Sequence, residues 1–180
     1  MTAMRASALS RMVLLGLSAV LACAGGGGET VEPGDWKMVL NQNGEEITVP
    51  LKSMDVFLVE DESYPEYFSI ESEGAVLGGN FPGDLHVGYE EEWKRLFGKP
   101  ILIDTQGGDP REMKECYVEL AGGVRSRVTG GTIIFEKLSG KVNGSEGDLT
   151  LTGRVMLTVE TEQGSENVSG TISVQAVTWG

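Results

Sequence analysis

Few residues in this chain are equipped for chemistry. One histidine, His86, stands between Leu85 and Val87 in a strand-like run. Two cysteines are present, Cys23 and Cys116. Cys116 opens Cys116-Tyr117-Val118-Glu119-Leu120, whose period-2 pattern puts Cys116, Val118 and Leu120 on one face. That marks the thiol as a core group, since a reactive thiol needs a nearby base or a helix N-terminus. Acids gather at Glu60-Asp61-Glu62 with Glu66, and at Asp104, Asp109 and Glu112 around Gly107-Gly108. Calcium takes several loop oxygens, but neither group has EF-hand spacing, so both are read as solvated loops. Two carboxylates flanking a bond can hydrolyse a glycoside; here the sequence supplies the acids and no geometry. The patterns H-E-x-x-H, G-x-S-x-G, G-x-x-x-x-G-K and C-x-x-C do not occur. No catalytic residue, metal site or cofactor is therefore assigned, and the chain is read as non-enzymatic. Tyr64, Tyr67 and Phe68 form an aromatic loop after the acidic run, and aromatics are enriched at interfaces. These three are the residues expected to meet a partner.

Cys23 draws its chemistry from what precedes it. Arg5 and Arg11 give a positive start, and Met12 to Ala22 is apolar apart from small residues. The run is shorter than the roughly 20 residues that span a bilayer. A positive n-region, a short apolar h-region and small residues before a cut make a secretory signal. Val20-Leu21-Ala22-Cys23 resembles the lipobox of bacterial lipoproteins. The resemblance implies that residues 1–22 are a signal peptide and that Cys23 becomes the lipidated first residue, carrying a diacylglycerol and an N-acyl chain such as palmitate. Three acyl chains form a lasting tether, where a single myristoyl chain holds only marginally. Ala24, rather than Asp, after the cysteine implies export to the outer membrane.

The net charge of −13 shapes the choice of partners. The leader holds two Arg and no acid, so removing it leaves −15 on 158 residues. Nucleic-acid affinity comes largely from Lys and Arg on phosphates, so nucleic acid is not an expected partner. A polybasic grip on anionic lipid is excluded by the same charge. With Cys23 acylated, Cys116 has no intramolecular disulfide partner, although the expected compartment is oxidising.

The elements that must position these residues are mostly strands. Residues 23–33 read as the lipidated Cys and a Gly-rich linker, with a reach of roughly 17–19 Å. Residues 34–180 read as a single β-domain. Asn43-Gly44 is a strong short hairpin signal. A two-residue turn there sets Leu40 opposite Ile47, Met38 opposite Val49 and Trp36 opposite Leu51, with all six on one face. Further strands are expected over 55–60, 67–73, 84–89, 101–104, 116–120 and 132–138. A helix is expected over 90–97, opened by three Glu and stopped by Gly98 and Pro100, with Glu90–Lys94 and Glu91–Arg95 as supportive pairs. A C-terminal hairpin turning at Gln163-Gly164 pairs Val159 with Val168, Val155 with Ile172 and Leu151 with Ala176. A tight turn at Asn143-Gly144 would set Phe135 against Thr152 on the wrong face, so a longer loop is expected there.

These patterns predict an all-β, antiparallel β-sandwich of about ten strands with one short internal helix. Gly34-Asp35-Trp36 resembles the G-x-W that opens lipocalins and their bacterial lipoprotein relatives. That resemblance implies the alternative, a closed lipocalin-like β-barrel holding a small apolar ligand. The expected function is a non-enzymatic envelope lipoprotein, probing a protein or surface partner from a membrane anchor, with no cofactor.

Overall fold

The alternation becomes one ten-stranded sheet in the computed structural model, which describes residues 35–57, 66–82, 90–105, 115–143 and 146–179. The elements are β1 (Lys37–Gln42), β2 (Glu45–Pro50), β3 (Ser53–Phe57), β4 (Tyr67–Glu71), β5 (Ala75–Asn80), α1 (Glu90–Leu96), β6 (Pro100–Leu102), β7 (Tyr117–Leu120), β8 (Val124–Asn143), β9 (Glu146–Thr161) and β10 (Gly164–Trp179). The architecture is the expected all-β, sandwich-like one with a short internal helix. The expected strand over 84–89 lies outside the described residues.

The first hairpin forms in the expected register. Asn43 (φ 54°) and Gly44 (φ 86°) both take left-handed backbone, as a two-residue hairpin turn requires. The Gly44 N–H donates to Asn41 Oδ1 at 3.1 Å. Leu40 faces Ile47 and Met38 faces Val49. The Leu51 N–H donates to the Trp36 carbonyl at 2.8 Å, which continues the ladder. Met38, Leu40, Val49 and Leu51 are buried, with Trp36 and Ile47 packed against them.

The C-terminal hairpin forms with its register shifted by two residues. Thr161 pairs with Gly164, so the turn is Glu162-Gln163. The Thr161 hydroxyl fixes it, donating to the Gly164 carbonyl at 2.8 Å and accepting from the Gln163 N–H at 3.3 Å. Val155 therefore faces Gly170, Gly153 faces Ile172 and Leu151 faces Val174. An even shift leaves every side chain on its expected face. The longer loop expected near Asn143 is absent: β8 and β9 pair as far as Asn143 opposite Glu146. The conflict at Phe135 is removed by a β-bulge. Phe135 pairs with Gly153 and Lys137 with Thr152, so Glu136 is one extra residue on β8. Phe135 then turns inward and is fully buried.

The sheet is mixed rather than wholly antiparallel. β1 occupies one edge of β10 over Ser169–Ser173, antiparallel. Farther along the same edge, Met54–Phe57 of β3 pair in parallel with Ala176–Trp179. Only Leu51 and Lys52 separate β2 from β3. The chain thus keeps its direction while stepping from outside β1 onto β10. Partners followed from β10 through β3, β4, β5, β7, β8 and β9 lead back to β10, so the ladder closes around one core. β6 pairs with β8 beyond β7.

Inside, rings form a column: Phe68 to Phe81 (5.5 Å between centroids), Phe81 to Trp93 (5.7 Å) and Trp93 to Phe135 (6.0 Å). Trp93 and Leu96 are the buried face of α1. The Gly98 N–H past its end donates to the Phe135 carbonyl at 2.9 Å. β5 is a strand that sequence pattern did not reveal, because Gly78-Gly79 looks like a loop. Phe68 pairs with Gly79 and lays its ring over it, where a Cβ would meet Phe68 Cζ at 2.5 Å.

Gly170 lets β1 approach β10, since a Cβ there would lie 1.8 Å from the Val39 carbonyl oxygen. We expect Gly170→Ala to lower stability by about 3 kcal/mol or more, because backbone rather than a side-chain tip must move. Thr171→Ala, on the exposed side of the same strand, should stay within about 0.5 kcal/mol. Urea unfolding of both variants measures the difference; equal midpoints would refute the close approach.

Candidate functional site

Two of the three aromatic residues expected to meet a partner, Tyr67 and Phe68, are not on the surface. Phe68 is fully buried in the ring column. Tyr67 is buried too, stacked on Phe57 with centroids 4.7 Å apart and planes 17° from parallel. β4 lies within the strand expected over 67–73, and both its faces are covered, Tyr67 and Ser69 on one and Phe68 and Ile70 on the other. Tyr64, Cys23, His86, Glu60-Asp61-Glu62, Asp109 and Glu112 lie outside the described residues. Among the described residues no three of His, Cys, Asp and Glu gather as cation ligands.

Cys116 is a core thiol. It is fully buried, and its Sγ–H donates to the Asp104 carbonyl at 2.9 Å. Burial pushes the thiol pKa up, helped by the Asp104 charge and opposed by a backbone hydrogen bond at Gly78. The protonated form therefore dominates well into the alkaline range, and the sulfur is a poor nucleophile.

A concave surface with a defined chemical character lies beside β2. Bonds between β1 and β2 alternate sides. Because the Leu51 N–H points to Trp36, Glu45, Ile47, Val49 and Leu51 direct their backbone groups to β1. Glu46, Thr48 and Pro50 direct theirs outward. β2 ends the strand order, so among the described residues no strand meets these outward groups. Pro50 sits where its missing N–H removes no ladder bond.

Across from this edge stand the Ser72-Glu73-Gly74 turn and Glu119-Leu120. Between them is a groove of about 490 Å³, lined by Ile47 through Lys52 on the β2 side. Its floor is apolar, made by the buried Val49, Leu51 and Leu120. Its rim is charged: Glu73 and Glu119, with Lys52 3.8 Å from Glu73. That ion pair is exposed at both ends and contributes little.

The far wall is held by its own bonds. The Ser72 Oγ accepts from the N–H groups of Gly74 (3.2 Å) and Ala75 (3.0 Å). The Glu119 N–H donates to the Gly74 carbonyl at 2.6 Å. The Lys52 N–H reaches the Glu71 carbonyl at 3.3 Å and closes the end where β2 passes into β3. The groove offers backbone donors and acceptors, an apolar floor and negative charge. Those groups suit binding an extended chain.

A second surface feature lies on the outer side of the sheet. Leu102 pairs with Thr132 and Thr132 with Met156, so Leu102 and Met156 flank a threonine in one row. They are 72% and 48% exposed.

The fold and groove define an all-β domain in which, among the described residues, the outer edge of β2 is unpaired beside an apolar floor. Compared with known proteins, the chain matches no family model, no curated protein and no solved structure.

Raised pKa and burial together set an expectation for Cys116. In a Cys23→Ala chain, the thiol should react with a maleimide roughly 100-fold more slowly folded than unfolded. A group held protonated in the fold stabilises fully below its ordinary pKa and loses that contribution as pH climbs through the raised one. Melting temperature should therefore fall in the alkaline limb, and Cys116→Ala should flatten that limb while costing roughly 1–2 kcal/mol at neutral pH. Fast labelling of the folded chain would refute the assignment.

Proposed function

We propose that this chain is a lipid-anchored lipoprotein of the bacterial envelope whose β-domain is a non-enzymatic binding module. The observation that carries the binding reading is the β2 edge, unpaired among the described residues, beside an apolar, acid-rimmed groove. Val20-Leu21-Ala22-Cys23, after its positive and apolar leader, supports the anchor. Acylation of Cys23 holds the domain at the outer membrane, and the linker lets it reach a neighbouring protein. No step of this function requires a cofactor or metal. The lipocalin-type alternative finds less support, because the Phe68–Phe81–Trp93–Phe135 column fills the place an enclosed apolar ligand would take.

Expression of the full chain in a Gram-negative host fed an alkyne-bearing fatty acid tests the anchor. We expect the label on the wild-type chain, in the outer-membrane fraction, and none on Cys23→Ala. Label that is absent from the wild type, or that persists in Cys23→Ala, would overturn the anchored reading.

A further inference from the structure

We infer that the groove receives an extended, basic segment of a partner protein, which adds to β2 as an eleventh strand. This deepens the binding reading above and rests on it.

The backbone dictates the mode. Glu46 and Thr48 each turn an N–H and a C=O outward, and Pro50 a C=O, at the two-residue repeat of about 6.8 Å that a neighbouring strand needs. Such main-chain bonds give strand addition its affinity, and pockets for alternate side chains give its specificity. The six lining residues Ile47 to Lys52 extend over about 20 Å, a length an added strand of about six residues would match.

Charge selects the partner. Glu73 and Glu119 stand on the rim, Lys52 beside Glu73 and Arg125 opposite Glu119 in the β7–β8 ladder, and Glu46 adds a further carboxylate on the edge strand. Alternate side chains of an added strand point in opposite directions. Those facing in meet Val49, Leu51 and Leu120 and should be apolar; those facing out meet the carboxylates and should be Lys or Arg. A second copy of this chain is a poor occupant, because its own β2 edge begins Glu45-Glu46 and each copy carries −13. Pro50 has no N–H to give, so the added strand gains one main-chain bond fewer at that end.

The test uses the full chain in detergent and a fluorescein-labelled seven-residue peptide alternating lysine and valine, read by anisotropy. We expect saturable binding that falls at least tenfold with Thr48→Pro, which removes an outward N–H and no β1–β2 bond. Glu119→Lys, which leaves the backbone intact, should also weaken it, as should 0.5 M salt. The same peptide N-methylated at alternate amides should not bind. Absence of saturable binding, or equal binding of the methylated peptide, would overturn strand addition. Binding that survives Thr48→Pro and Glu119→Lys but falls with Met156→Glu would move the partner to the outer Leu102–Met156 row. That overturns this proposal and leaves the general binding reading standing. Loss of fatty-acid labelling, by contrast, would strike the anchor and not the groove.

Discussion

One edge of β10 carries two strands, and the rest of the molecule follows from that sharing. β9 fills the other edge along nearly its whole length. On the shared edge β1 takes Ser169–Ser173 and β3 takes Ala176–Trp179. The chain must therefore leave β1, return as β2 and then step inward past β1 to reach β10 again. The step is made by Leu51 and Lys52. It forces the parallel pair, because β2 and β3 run in one direction. It also leaves β2 outside, with no strand among the described residues paired to its far side. Through β3 and β4 the ladder goes on to close, and among the described residues β2 is left at one end of the strand order and β6 at the other. Wild edges are hazards that proteins restrain; here Glu45, Glu46 and Pro50 do the restraining, and the restraint also tunes what can bind.

Local patterns carried the parts of this fold that depend on local chemistry. Asn43-Gly44 and the alternation around it set a turn and a register that the structure repeats residue for residue. The inner row of β9 and β10 was legible as well, because a face survives an even shift. The exact turn was not, since Gln163-Gly164 and Glu162-Gln163 both suit a reversal and the Thr161 hydroxyl decides. The bulge at Glu136 lay beyond pattern reading. Strict period-2 logic forbade a tight turn after Asn143, and one additional residue on β8 restored the parity that logic demanded. β5 was hidden for a related reason: Gly78-Gly79 lowers strand propensity, and its value comes only from the Phe68 ring that covers it.

The candidate site was less legible than the fold. Cys116 could be placed in the core from its alternation alone. Tyr67 and Phe68 could not, because an aromatic pair in sequence gives no sign that both faces of its strand will be covered. The groove has no signature of its own. Ile47, Val49 and Leu51 read as one face of a hairpin, and Glu73 and Glu119 as scattered surface acids. They meet because distant strands are brought side by side, and the outward set of Glu46, Thr48 and Pro50 exists only once β2 is known to lie last in the order. Edge position is a property of topology, and topology is what a single sequence shows least.

The shared edge also orders events in time. Gln42 and Glu166 lie 124 residues apart and share a hydrogen bond across β1 and β10. Until the C-terminal hairpin has left the ribosome, β1 and β3 have no strand to join, and the inner faces of the first hairpin stay uncovered. Contacts this remote slow folding. Within this sheet the strand latest in sequence is the one that permits the earliest to settle, so the first hairpin gains its lasting partner only when β10 is in place.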